Sequence, residues 1–315
     1  MKVPVVNNLK KKNFLDLNGV FLLDKPIGLS SNQALQQVKR IFNARKAGHT
    51  GSLDPLASGM LPLCFGEATK FSQFLLESDK YYRVIFKLGE ATTTGDAEGE
   101  VIECKPVSVE RAALLATLKQ FFGAITQIPS MYSALKYQGQ PLYKLARQGI
   151  EVPRPAREIT IHAIELLNFD GLYAEMDVHC TKGTYIRTLV EDIGKSLGCG
   201  AHVTGLRRLA AGPYQATQMI SLSQLEALAS TTPDSLKSLL LPVETLAASC
   251  PPINLTSLTT FCVRRGQPVL IPHSPTEGWV KLISSEGRFL GMGVVLSDGR
   301  IAPKRLIRDT SRAVA

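Results

Sequence analysis

The chain has 315 residues, which at about 150 residues per domain is enough for two domains and a proper core. Apolar content is ordinary for a soluble globular protein and no apolar run is long enough for a membrane helix, which excludes a helical membrane protein. The formal charge is +9, from 36 Lys and Arg against 27 Asp and Glu, an excess that points to a polyanionic partner.

The opening MKVPVVNNLKKKNF carries a Lys cluster without the apolar core of a signal peptide, so residues 1–18 are expected to be a basic arm of a cytoplasmic protein. GVFLLDKPIG reads as a short buried strand ended by Lys-Pro and Gly. Ser30 or Ser31 can cap a helix whose Ala34, Leu35, Val38, Ile41 and Phe42 share a stripe, with Arg40 opposite. A Gly-rich loop, GHTGSLDPLASGM at 48–60, follows. YYRVIFKL alternates, placing Tyr82, Val84, Phe86 and Leu88 on one strand face. TTTGDAEGE is a turn, GEVIEC a return strand, and SVERAALLATLKQFFG a helix with Ser108 as its cap and Gly123 at its end. IPSMYSALKYQGQPLYKLARQG is aromatic, basic and weakly periodic, which suits a surface segment with a short helix.

Residues 157–169 and 172–180 read as strands joined at Asp170-Gly171. The spacing of Ile186, Leu189, Val190, Ile193 and Leu197 predicts a helix over 184–197, with Gly198 after it. HVTGLRRLAAGPY is a further strand. Around 242–252, LPVETLAASCPP has the composition of a linker, and short strands and turns beyond it predict a small β module. Without regular βα alternation, the larger part is α+β with a mostly antiparallel sheet.

The six cysteines form no C-x-x-C pair and no zinc spacing, and are read as buried, reduced, structural thiols. Basic residues cluster at Lys39/Arg40/Arg45/Lys46, Arg147/Arg154/Arg157, Arg207/Arg208, Arg264/Arg265 and Lys304/Arg305/Arg308. Clusters spread along the chain suit a long phosphate track better than one small phosphate.

The Gly-rich loop poses the sharpest question, because it sets one carboxylate, Asp54, among Leu53, Pro55, Leu56 and Met60. On one reading Asp54 is a helix N-cap and Pro55 the first helical residue, through Leu56 and Ala57. On the other it is a nucleophile, and Gly48, Gly51 and Gly59 allow close approach of a backbone or ligand. A carboxylate among leucines needs a cation to stay ionised. Arg187 is a candidate: if Thr184 caps its helix, Arg187 is the third helical residue, where the macrodipole disfavours a cation. Its competing partner is Glu191, four residues on. Tyr82 is either a core aromatic or a platform for an unstacked base. His49 is either an ordinary loop residue, a phosphate contact, or a filler of the space left by a displaced base.

DKPIGLSS, GHTGSLDPLASGMLPLC, DKYYRV, IPSMYSALKYQGQPLYKLARQG, TKGTYIRTLVEDIG and HVTGLRRL, in this order, closely resemble the TruB family of bacterial tRNA pseudouridine(55) synthases. The resemblance runs from about Gly19 to the C-terminus. It implies an isomerase that converts uridine 55 in the TΨC loop of tRNA by breaking N1–C1′ and forming C5–C1′, with no cofactor and no metal. It implies Asp54 as the catalytic aspartate and Arg187 as its partner. Tyr82 then stacks on the flipped base, His49 helps hold the nucleotide out, and Tyr185 and Leu206 line the uridine pocket. The implied fold is a large, mostly antiparallel mixed sheet flanked by helices over 19–250, plus a β-rich, PUA-like RNA-binding module over 251–315. The implied partner is tRNA, with no membrane and no protein partner. Where the family often reads T-D-T-x-D, this chain has Thr92-Thr93-Thr94-Gly95-Asp96, a difference that bears on a local turn or a supporting contact.

Two other classes fit less well. A non-catalytic RNA-binding protein on this fold needs neither Asp54 nor Arg187. A nucleotide-dependent enzyme needs a phosphate loop, and no G-x-x-x-x-G-K-[ST] or suitably placed G-x-G-x-x-G is present.

Overall fold

A computed structural model of the chain describes residues 14–308. Its strands are β1 (Gly19–Lys25), β2 (Ala47–His49), β3 (Ala57–Phe65), β4 (Lys80–Leu88), β5 (Glu90–Thr92), β6 (Val101–Cys104), β7 (Gly123–Gln127), β8 (Lys136–Tyr137) and β9 (Gln140–Pro141). They continue with β10 (Arg157–Phe169), β11 (Tyr173–Cys180), β12 (Ala201–Ala211), β13 (Tyr214–Gln215), β14 (Ile220–Ser221), β15 (Pro252–Asn254), β16 (Trp279–Ile283), β17 (Phe289–Val295) and β18 (Ile301–Leu306). The helices are α1 (Ser31–Ile41), α2 (Ser72–Leu76), α3 (Arg111–Gln120), α4 (Leu142–Ala146), α5 (Ile186–Ser196), α6 (Leu222–Thr231) and α7 (Ser257–Arg264).

One ten-stranded sheet runs β14-β1-β3-β12-β4-β11-β10-β7, with β2 beside β3 and β13 beside β12. It is antiparallel except for the pairs β1–β14 and β3–β12. The near-continuous apolar runs of β1 and β3 follow from burial on both faces. Phe21 and Leu23 pack with Leu35, Val38 and Leu225 on one side, while Val20 and Leu22 pack with Phe71 and Leu75 on the other. Farther along the sheet, α5 and α3 cover Val84, Phe86, Leu88, Met176 and Val178. Tyr82 and Leu206 touch both this cluster and the one beneath α1, so they stand at the seam between two cores.

Several local expectations are met. Ser30 caps α1 in a reciprocal box with Gln33. Asp170 accepts from the amides of Leu172 and Tyr173 at the β10–β11 turn. The segment after β7 holds the short α4 over its own small core of Met131, Leu142 and Leu145.

Others are corrected. No helix follows Asp54: Ala57 N donates to Asp54 O at 3.1 Å, closing a turn that leads straight into β3. Glu110 rather than Ser108 precedes α3, without a side-chain cap, and Gly123 opens β7 instead of ending the helix. Tyr185 rather than Thr184 is the cap residue of α5, so Arg187 is its second residue. Among the cysteines, Cys104 is exposed and Cys250 and Cys262 only half-buried, although all six are free. Most of the expected basic arm lies outside the described residues, but 14–18 is docked: Leu15 bridges Ala44 and Leu17 is buried.

The C-terminal sheet runs β15-β16-β17-β18, with its own core around Ile253, Val263, Val280 and Leu282. The segment expected to be a linker packs instead of spanning free. Leu246 and Ala247 are buried, and Met292 of β17 joins them in one cluster with Phe71 and Leu75. Phe71 faces Phe289 and Phe74 meets Trp279, with ring centroids 5.5 and 5.1 Å apart. No helix among the described residues is long and apolar enough to cross a membrane.

Because Phe71 is fully buried where the two sheets meet, Phe71→Ala should cost about 3–5 kcal/mol in a denaturant titration. A loss below about 1 kcal/mol would mean that this contact contributes little.

Candidate active site

The loop before β3 is held from several sides. The Ser31 hydroxyl, at the first residue of α1, accepts from Leu53 N at 2.7 Å and lies 3.0 Å from Leu53 O. Gly28 N donates to Pro55 O. Arg208, only 1% exposed, donates from Nε to Met60 O at 2.6 Å and from Nη2 to Gly51 O at 3.2 Å. Gly59 has φ +95°, and a Cβ there would sit 2.3 Å from Arg208 O, so the glycine is required where β3 and β12 come together. These contacts leave Asp54 few ways to move.

Arg187 Nη2 lies 3.1 Å from Asp54 Oδ2, and its Nη1 lies 3.3 Å from Asp96 Oδ2. The same two nitrogens donate to Thr94 O at 2.9 Å and Tyr132 O at 2.7 Å. Two carboxylates and two carbonyls therefore offset the unfavourable place of a cation in the first turn of α5. The Arg187 and Asp96 side chains are 8% and 4% exposed, while Asp54 remains 43% exposed. The triad is thus sealed on the protein side and open at one carboxylate.

Asp54 opens into a cleft of about 300 Å³ whose walls include Tyr82, Tyr132, Tyr185, Arg187 and Leu206. Leu206 pairs with Ala57 across the parallel strands β12 and β3, and with Val84 across β12 and β4. Burial raises the Asp54 carboxyl above its ordinary value; Arg187 pulls it down, Asp96 pushes it up and Lys25 pulls it down. Burial likewise pushes the Tyr82 phenol up, which keeps it neutral. A neutral ring at the seam of the sheet offers a face on which a base can stack.

Of the residues singled out in the sequence, Asp54, Arg187, Tyr82, Tyr185 and Leu206 meet in this cleft. His49 does not line it. It lies on β2 opposite Leu63, and burial and the charge of Arg208 hold its imidazole below the usual value. The basic pair Arg207-Arg208 is not a free phosphate contact: Arg208 is buried, and Arg207 makes a two-pronged pair with Asp24 at 2.9 and 2.7 Å.

Two further residues belong here. Asp96 anchors Arg187 and is fixed by Thr94 Oγ1 and by Glu98 N. Thr93 does not take part in that contact; its hydroxyl accepts from Glu100 N at 3.2 Å and closes the same turn. Lys25 is fully buried and donates to Pro26 O and Leu29 O at 2.9 and 2.6 Å, and burial brings its pKa down to about 8. The sequence cue for Lys25 is a cation that closes an apolar strand at its Lys-Pro end.

The chain matches three family models: "TruB family pseudouridylate synthase (N terminal domain)" over 39–186, "tRNA pseudouridylate synthase B C-terminal domain" over 187–248, and "Pseudouridine synthase II TruB, C-terminal" over 251–307. The chain belongs to the TruB family. It is 56% identical to the tRNA pseudouridine synthase B of Nitrosococcus oceani, over 94% of this chain and 96% of that one. It is 54% identical to the enzyme of the same name from Vibrio cholerae, over 92% and 96%. A solved structure of a Cbf5-Nop10-Gar1 complex has a chain similar to this one at TM-score 0.72 and 26% identity, covering 92% of this chain and 84% of that one. This TruB-family chain is an RNA-binding isomerase that makes pseudouridine in tRNA, on an α+β fold with a large mixed sheet and a small C-terminal sheet.

Arg187 is the strongest influence holding the Asp54 carboxyl down. In Arg187→Gln that carboxyl should titrate at higher pH than in the parent, as followed by carbon-13 NMR of the free protein. Any activity that needs the ionised form would then be lost at a higher pH as the medium is acidified. An unmoved or lowered titration would show that the pair does not govern the charge of Asp54.

Proposed function

We propose that the uridine isomerised is residue 55 in the TΨC loop, that Asp54 is the catalytic carboxylate, and that Arg187 is its charge partner. The observation that carries this reading is the 3.1 Å contact between Arg187 and an Asp54 that stays open to the cleft. A structural ion pair has no need of an exposed carboxylate on a buried arginine.

The target base is stacked in a folded T arm, so it must be flipped out at a cost of a few kcal/mol. Stacking on Tyr82 and packing against Leu206 and Tyr185 offset that cost within the cleft. His49, beside the Asp54 loop, contacts the displaced nucleotide from outside the cleft. Ionised Asp54 then attacks the base or C1′, or assists departure of the uracil anion. In each route N1–C1′ breaks, the base turns within the apolar walls, C5–C1′ forms, the C5 hydrogen leaves as a proton, and N1 takes one up. Every step is acid–base or nucleophilic chemistry open to these side chains, and the reading assigns no cofactor and no metal.

Residues 251–315 are read as a PUA-like RNA-binding module. Leu258 and Phe261 of α7 are 72% and 54% exposed, with Arg265 over the Phe261 ring, a surface suited to stacked bases and phosphate. The tRNA is bound in the cytoplasm, and no protein partner is assigned.

Asn is nearly isosteric with Asp but carries neither the charge nor the basicity. Asp54→Asn should release no tritium from a C5-tritiated uridine in a TΨC stem-loop, while Kd for that RNA stays within about threefold, because affinity is spread over many contacts. Substantial release by the Asn variant would remove Asp54 from the chemistry.

A further inference from the structure

We propose that Gln127 is a positioning residue for the isomerisation: its side-chain amide fixes the backbone of Tyr185 and, through it, the Tyr185 ring and the Arg187 guanidinium in the cleft. The inference rests on the roles given above to Asp54 and Arg187.

Gln127 is the last residue of β7 and is 2% exposed. Its Oε1 accepts from Tyr185 N at 3.0 Å and its Nε2 donates to Tyr185 O at 3.3 Å. The backbone N–H can only donate and the carbonyl can only accept, so one orientation of the amide satisfies both. The side chain thereby imitates a strand partner for a single residue.

That residue begins α5, and α5 has no side-chain cap of its own. The Thr184 hydroxyl, which could have served, donates to Thr181 O. Two residues into the helix stands Arg187, where the helix dipole works against it. Its other holds, Thr94 O, Tyr132 O and the two carboxylates, all act on the guanidinium and not on the helix. Core packing of Ile186, Leu189 and Val190 seats the helix, and the Gln127 amide is the side-chain hydrogen-bond partner of the backbone at its start, from which Tyr185 and Arg187 project.

The anchor is stiff. Gln127 pairs with Arg157 in the antiparallel β7–β10 ladder, so the start of α5 is referenced to the edge of the main sheet. Gln127 is not part of the cleft wall; any effect on chemistry must pass through Tyr185 and its neighbours. Displacements of about 1 Å are enough to cost about a hundredfold in rate.

The test uses the full chain and unmodified tRNA. Gln127→Met fills the same volume without either hydrogen bond, and Gln127→Asn keeps the amide but lacks the reach. Each is assayed below its own melting transition, with single-turnover rate and tRNA Kd measured separately, beside Asp54→Asn. The single-turnover rate should fall about tenfold to a hundredfold in both variants, with Kd within about threefold of the parent. A folded variant of either kind that turns over within about twofold of the parent overturns the proposal, even if its melting temperature is lower, since a merely structural amide would affect stability alone. If Asp54→Asn is itself active, the reading of the site fails whatever Gln127 does; if Asp54→Asn is inactive and the Gln127 variants are normal, only this inference fails.

Discussion

A single guanidinium organises the cleft. Arg187 joins the loop of Asp54, the turn of Asp96, the carbonyl of Tyr132 and the first turn of α5, four stretches far apart in the chain. A buried cation left without partners would be strongly destabilising, so the three outer stretches must close around it for α5 to dock. The same closure sets Asp54 at the mouth of the cleft. Arg is suited to this place because its planar fork serves several acceptors at once, which an ammonium cannot do in the same geometry.

The rest of the fold holds that closure at the seam between two cores. Helices α1 and α6 cover one stretch of the sheet and α3 and α5 another. Tyr82 and Leu206 lie where the coverings part, so two side chains that are core-like by type face a cleft. Arg208 stabilises the seam from below, tied to both Gly51 and Met60, and Gly59 lets its backbone come close. The C-terminal sheet adds to the same mass through Met292, Phe289 and Trp279 and is continuous with the core behind β1.

Periodicity carried the elements whose burial is one-sided. The stripes of α1 and α5 and the alternation of β4 stand as the spacing indicated, and the Asp170-Gly171 turn signal marks the β10–β11 hairpin. The capping box of α6, Ser221 with Gln224, is a start signal carried by the residues themselves. Local chemistry misled where a long-range contact decided the outcome. Asp54-Pro55 has the form of a helix start, yet Arg208 and the pairing of β3 with β1 draw the chain into a strand. Arg207 and Arg208 look equivalent in sequence, but adjacent strand residues face opposite ways, so one is buried and the other pairs with Asp24. Asp54 and Arg187 could be read because each broke a local rule: a carboxylate among leucines, and a cation in a helix's first turn. Asp96 and Lys25 broke such rules more quietly, and Gln127 broke none until the strand beneath it was known.

The most direct test of the account is a crystal structure of the chain bound to a TΨC stem-loop whose target uridine carries fluorine at C5, a position that then has no hydrogen to lose. The account predicts the flipped base against Tyr82 and Leu206, with an Asp54 oxygen nearest the sugar C1′ or the base and Arg187 still bridging Asp54 and Asp96. A base seated elsewhere, or Arg187 released from Asp54 to bind the RNA backbone, would contradict it.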